Sequence, residues 1–245
     1  MHENFFLDTE PVQTPLSCEE LLVRAQALTG RTVGELARAV GVKLPTHEKN
    51  AKGFVGQLIE RALGADPQAG DQPDFPQLGV ELKTIPIQGN GIPKESTFCC
   101  AITMAEAASE TWQTSRLKRK LSHVLWMPYQ SQTQSLDTLF HNRRFFKPRL
   151  WRPSIHEWQQ LQQDFEHLIG KIGAGESAQV TGYEGLVLQV RPKGRDSFAR
   201  TWGPELDDGP ERVLPLGFYL RPTFTALVLA SSDLSVPIKP ASHAY

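Results

Sequence analysis

Asp74-Phe75-Pro76-Gln77-Leu78-Gly79-Val80-Glu81-Leu82-Lys83-Thr84-Ile85 is the stretch on which the reading of this chain turns. Leu78 to Ile85 alternates like a half-buried strand. Side chains two apart on a strand share a face. Glu81 and Lys83 therefore emerge together, and Val80 and Leu82 point the other way into a core. Asp74 lies just upstream, across the Leu78-Gly79 bend, where the chain can fold it back beside Glu81. Two adjacent carboxylates repel unless a cation sits between them. Mg²⁺ is a hard cation that takes one or two carboxylates plus water and substrate phosphate. A neighbouring lysine can orient or deprotonate an attacking water and offset developing phosphate charge. The set suits phosphodiester hydrolysis. Acid-x-Lys on a strand is more often an ordinary solvated face, so the motif does not decide the matter alone.

Outward from this block, the chain divides by pattern. The N-terminal third is helical. Ser17 with Glu20 reads as a capping box ahead of Leu21, Leu22, Ala25 and Leu28, closed by Gly30. Thr32 with Glu35 repeats the device, and a third helix is expected from Phe54 to Leu63 with Gly64 as its stop. After the catalytic-looking strand, Gln88-Gly89-Asn90-Gly91 reads as a hairpin turn into a strand from Glu95 to Ile102. Leu121 to Met127 and Leu186 to Val190 are further strands, with a short one at Phe218 to Leu220. Ser154 with Glu157 opens a long amphipathic helix to about Ile172, and Thr223 to Ala230 reads as a last helix. Residues 235–245 carry two prolines and little pattern and are expected to be a flexible tail. Helices followed by mixed strands and helices imply an α/β or α+β fold with a mixed sheet.

The 245 residues suffice for one large domain, and 40% apolar with 22% charged residues is ordinary globular composition. Three cysteines, two of them adjacent, support neither a zinc site nor a disulfide framework. The seven histidines have no ligand spacing. The opening residues hold no apolar signal segment, and no run approaches the roughly 20 apolar residues of a membrane helix. A cytoplasmic protein is expected. The net charge of −1 excludes a general nucleic-acid coat protein, but positive charge is concentrated locally. Arg116 to Lys120, Arg143 to Arg152, and Arg191 to Arg200 are three basic runs. Any one of them is more often solvated surface than a phosphate contact. Arg191-Pro192-Lys193 directly follows a strand and is expected to begin a loop, from which a cation reaches guanine O6 and N7 in a major groove. Glu60 is either a solvated helix residue or a third carboxylate.

The ordered segments Lys52-Gly53-Phe54-Val55-Gly56, Leu58-Ile59-Glu60, Asp74-Phe75, Leu78 to Pro86, Thr97-Phe98, Lys120-Leu121, Leu188 to Lys193 and Gly217 to Leu220 resemble the MutH family of DNA mismatch repair endonucleases. The likeness runs from about Glu19 to Leu229. It implies a restriction-endonuclease-like fold: a mixed central sheet flanked by helices, in a single domain spanning 1–245 with two lobes around a DNA-binding cleft. It implies a nuclease that nicks the unmethylated strand at hemimethylated GATC sites, requires Mg²⁺, and is activated by MutL after MutS has found a mismatch. On this resemblance Asp74 and Glu81 bind metal, Lys83 serves the attacking water, and Glu60 is an accessory catalytic carboxylate. Lys52 and Lys120 lie near the DNA backbone or the scissile phosphate, and Phe98 borders the active site. Arg191, Pro192 and Lys193 read the site, and Tyr219 senses adenine methylation. Residues 194–213 keep the family's length without its residues, and 130–149 also diverge.

Two alternatives stay open at this level. A GATC-specific type II restriction endonuclease would cut both strands, usually by pairing two catalytic units. One catalytic block here favours a nicking monomer. A non-cleaving, methylation-sensing DNA-binding module would have no need of Asp74, Glu81 and Lys83 together.

Overall fold

The computed structural model describes residues 12–45, 53–89, 91–131 and 139–231. Lys52 and the 235–245 tail, both singled out above, lie outside the described residues. Helices α1 (Cys18–Gln26), α2 (Val33–Ala39) and α3 (Phe54–Leu63) come first. Strands β1 (Glu81–Ile87) and β2 (Thr97–Ala101), helix α4 (Arg116–Leu121), and strands β3 (Val124–Gln130) and β4 (Arg149–Trp151) follow. Helix α5 (Ile155–Gly173), strands β5 (Leu188–Pro192), β6 (Thr201–Trp202), β7 (Arg212–Val213) and β8 (Leu216–Leu220), and helix α6 (Pro222–Ala230) complete the order. The fold is the mixed α+β class that the element pattern implies.

Local signals account for most helix ends. Thr32 and Ser154 accept hydrogen bonds from the backbones of Glu35 and Glu157, whose side chains reach back to cap the opposite donors. At α1 only half of the device forms. Ser17 accepts from the Glu20 amide, but the Glu20 carboxylate takes the Leu16 amide and Arg24 instead. That helix also stops at Gln26, four residues before Gly30. Gly64 ends α3 at φ +77°, a left-handed conformation that glycine adopts without a Cβ penalty.

The sheet that carries the catalytic-looking block has the order β1-β3-β4. β1 runs parallel to β3, pairing Glu81 with Val124, and β4 is antiparallel to β3. Both faces of this sheet are covered. Leu82, Leu125 and Met127 join the α1–α3 side chains in one apolar core, and Ile85, Ile87, Val124 and Trp126 face a second core built with α5, β5, β8 and α6. Burying each such large apolar side chain stabilises the fold by about 1.5–3 kcal/mol. The second sheet is antiparallel, order β2-β8-β5.

Four expectations are corrected. β1 starts at Glu81 and not Leu78, because residues 75–80 form a tight reversal closed by the Phe75–Val80 bridge with Gly79 at φ +63°. Leu121 ends a helix: Ser115 caps α4 through the Lys118 amide, and β3 begins only at Val124. The Gly91 amide donates to the Gln88 carbonyl, with Asn90 outside the described residues, but among the described residues β1 and β2 part after a single Ile87–Pro93 bridge. Pro86 and Pro93 have no N–H to extend a ladder, and each strand pairs elsewhere. β5 runs to Pro192, so Arg191 and Pro192 belong to the strand and do not open a loop. Its far end is extended by pairing with β8, in which Arg191 faces Gly217 and Pro192 faces Leu216. Among the described residues no helix is long and apolar enough to cross a membrane, and the three cysteines are free thiols.

Candidate active site

The 75–80 reversal brings Asp74 back to the start of β1, where its Oδ2 accepts from the Leu82 amide at 2.7 Å. Glu81, on the opposite face to Leu82, is only 2% exposed. Period-two geometry puts Lys83 beside it, and the Lys83 ammonium donates to Glu81 Oε1. Glu81 Oε2 accepts from Lys120 Nζ at 2.9 Å, and the same ammonium donates to the Gln72 carbonyl at 3.1 Å. A buried carboxylate held at both oxygens by lysines satisfies the rule that buried charges are paired. Lys120 comes from the last turn of α4, 39 residues along the chain.

Glu60 completes the group from α3. Gly56, one turn earlier, lies so close that a Cβ there would sit 3.6 Å from Thr84 Oγ1 on β1 and 3.8 Å from Glu60 Oε1. Glu60 and Asp74 share the lining of a cavity of about 390 Å³. Burial and then the Asp74 charge push the Glu60 carboxyl above its ordinary range. Burial and then the Glu81 charge push Asp74 up in the same way. Burial works to strip the proton from Lys83, but the Glu81 carboxylate outweighs it and holds the ammonium above its usual range. Three acids are thus crowded around two lysines, whose charges offset only part of what burial and mutual repulsion impose on Glu60 and Asp74.

That crowding is the test of whether a divalent cation fits. Asp74 and Glu60 are destabilised as anions, so a cation beside them is favoured. Among the described residues no three acidic, histidine or cysteine side chains converge into a metal-binding cage. The donors gathered here are carboxylate oxygens only, with both Glu81 oxygens hydrogen-bonded to lysines. That matches a hard cation held by one or two carboxylates and completed by water and phosphate, and not a soft metal.

The remaining candidates form a second group on the β2-β8-β5 sheet. Phe98 and Gln189 both stand opposite Tyr219, one on either side. Phe98 meets the Tyr219 ring edge-on at 5.3 Å between centroids, and Lys193 Nζ sits 4.2 Å from the Phe98 centroid. Arg191, Pro192 and Tyr219 line an open cavity of about 1220 Å³. Gly217 lies opposite Arg191, and a Cβ there would come within 3.0 Å of Phe98 Cε2 and 3.3 Å of Lys193 Cβ. The bare backbone is what lets these side chains close over β8. The two groups adjoin at β2, where the buried Cys99 lies next to Phe98 and near Lys83.

Much of the remaining basic charge has structural work. Arg116 pairs with Asp71 at 3.0 Å, Arg144 donates to the Gly30 carbonyl, and Arg152 to His123 Nδ1. Arg200 donates to the Ser197 and Ala199 carbonyls. Reasoning from the sequence passed over Gln189, which is 2% exposed and bonded to Arg191. Its signal was available, since it lies two residues before Arg191 on a strand.

Against known proteins, residues 63–164 match the family model described as the DNA mismatch repair enzyme MutH. That span includes Asp74, Glu81, Lys83, Phe98 and Lys120. The chain is 43% identical over 217 residues to the DNA mismatch repair protein MutH of Haemophilus ducreyi, covering 88% of this chain and 94% of that one. It is 42% identical over 215 residues to the protein of that name from Haemophilus influenzae strain PittGG, covering 88% and 95%. It is 41% identical over 216 residues to that of Pasteurella multocida, covering 88% and 96%. Likeness at this level over nearly the whole length, spanning the segment that gathers the buried acids and lysines, is that of kin: the chain belongs to the MutH family of DNA mismatch repair enzymes.

Proposed function

We propose that this chain is a Mg²⁺-dependent endonuclease that nicks the unmethylated strand at hemimethylated GATC sites in mismatch repair, and that MutL activates it. The observation that carries the reading is the meeting of Asp74, Glu81, Lys83 and Lys120 at one end of β1. A fold needs no such costly gathering of buried charge for stability.

In this reading Asp74 and Glu81 hold the metal ion, which when bound polarises a phosphoryl oxygen and lowers the pKa of water. The chain's own residues do the rest. Lys83 and Lys120 are fixed by Glu81, so their charges are in place before substrate arrives and need no reorganisation. Lys83 presents an N–H to the attacking water or the scissile phosphate. Glu60, with its carboxyl pushed up by burial and Asp74, is suited to take or share a proton beside the reacting group. Phe98, Arg191, Pro192, Lys193 and Tyr219 form the wall against which the duplex lies. Arg191 offers a planar donor fork to guanine, and Tyr219 stands where an adenine methyl group would be felt. Lys52, outside the described residues, is assigned to the DNA backbone on resemblance alone.

The test is supercoiled plasmid carrying GATC sites in three methylation states, with and without Mg²⁺, and with and without MutL and ATP. Open circles from hemimethylated and unmethylated plasmid, sparing of fully methylated plasmid, and acceleration by MutL are expected. Direct linearisation without MutL would make the chain a restriction-type enzyme. Retention of GATC DNA without cleavage in any state would make it a binding module.

A further inference from the structure

We propose that Gln189 is a positioning residue that sets the pose of the Arg191 guanidinium, and that guanine readout depends on a buried Ser96–Gln189–Arg191 relay. The inference rests on the reading of Arg191 as a base-contacting group. Gln189 is the second residue of β5, 2% exposed, although a buried amide costs free energy unless its hydrogen bonds are made. Both ends of the amide are used. Nε2 donates to Ser96 Oγ at 2.7 Å, and Oε1 accepts from Arg191 Nε at 3.2 Å. Arginine has no acceptor, so the contact works in one orientation only, with Oε1 toward Arg191. Ser96, 93 residues away and just ahead of β2, accepts from the other end and tethers the amide, while Arg191, which only donates, sets its orientation. A flipped amide would set donor against donor.

The consequence lies in which guanidinium nitrogens remain. Nε is committed inward, toward the sheet. The two terminal nitrogens have no hydrogen-bond partner among the described residues, and Arg191 is exposed on the wall of the large cavity. A long side chain loses rotamer freedom on binding, and a contact that holds it beforehand lowers that cost. Gln189 therefore acts through Arg191 and need not touch DNA.

The test is binding, measured without metal so that cleavage plays no part. Fluorescence anisotropy of the full chain is read on a labelled GATC duplex and on the same duplex with 7-deazaguanine in place of the site guanine, which removes the N7 acceptor. A good arginine–guanine pair discriminates by about 10- to 100-fold, so wild type is expected to bind the modified duplex at least about 10-fold more weakly. Gln189→Leu, of similar size, should lower cognate affinity and bring that ratio to within about 3-fold of unity, with its melting curve reporting whether it is folded. Ser96→Ala, at a half-buried position, removes the tether on the far end of the amide and should at least halve the ratio. Gln189→Glu keeps the acceptor and should retain the ratio. A folded Gln189→Leu or Ser96→Ala protein that keeps the full wild-type ratio overturns the relay. Arg191→Ala separates the two ideas. If Arg191→Ala abolishes the ratio and the relay variants do not, only the relay fails. If Arg191→Ala itself keeps the ratio, the reading of Arg191 fails.

Discussion

Replacing Lys120 with methionine isolates the most buried ion pair among the described residues. Methionine keeps most of the apolar stem, so packing changes little. Two bonds are lost, at 2.9 Å to Glu81 Oε2 and 3.1 Å to the Gln72 carbonyl. Breaking a buried ion pair by removing one partner costs about 3–5 kcal/mol, because the other charge is left without compensation. Here Lys83 still holds Glu81 Oε1. About half of that penalty should therefore apply, with about 1 kcal/mol more for the Gln72 carbonyl. The expected loss is about 2.5–3.5 kcal/mol. For a chain of this size that corresponds to a melting temperature lower by roughly 5–14 °C. Urea denaturation followed by tryptophan fluorescence measures it directly. Two further arms probe the cause. Adding Glu81→Gln to Lys120→Met removes the stranded charge and should recover more than half of the loss, a coupling that distant residues do not show. Millimolar Mg²⁺ should stabilise Lys120→Met more than wild type, because a cation replaces the missing ammonium. A single-variant loss under about 0.5 kcal/mol, or no recovery in the double variant, would refute the picture of Glu81 as a buried anion dependent on both lysines.

Two more outcomes follow from the same geometry. Asp74→Asn keeps an oxygen for the Leu82 amide but removes a charge that burial and Glu81 disfavour. Nicking should fall at least about 100-fold while DNA binding holds, and the metal-free protein should melt no lower than wild type; residual nicking within about 10-fold would move the metal site elsewhere. His123 is buried, its carbonyl receives the Glu81 amide, and its Nδ1 accepts from Arg152, so protonation would cost a hydrogen bond and add a like charge. Burial and then Arg152 hold its pKa down at about 4, below the ordinary 6.5. A depressed folded pKa means stability that is complete above about pH 6.5 and is lost as pH falls toward 4. The loss is up to about 3 kcal/mol, absent in His123→Gln, and urea midpoints at pH 7.5 and 5 that move equally in both proteins would count against it.

Several features of this fold are written locally and can be read without coordinates. The caps at Thr32 and Ser154 need partners only three residues on, and the shared face of Glu81 and Lys83 needs only the pleat of one strand. Asp74 folds back because Gly79 permits a tight reversal within six residues. The Ser17–Glu20 box was misread because Leu16 and Arg24, equally local, compete for the same carboxylate. β1 and β2 look like a hairpin in sequence, yet each finds more hydrogen bonds in a distant strand than two prolines leave between them.

The composition of the site itself came from long-range packing. Lys120 reads as a surface cation in a basic run, and only the docking of α4 against β2 carries it to Glu81, 39 residues away. Glu60 stood undecided between solvent and site until α3 was packed on β1 beside Thr84. Gln189 looks like one more strand residue, and its link to Ser96 spans 93 residues. The sequence by itself determined which residue types alternate, turn and cap, since those follow from bonds within one strand or one helical turn. Only the tertiary structure decided which charges share a buried space, because that depends on how two separate sheets and the helices over them are brought together.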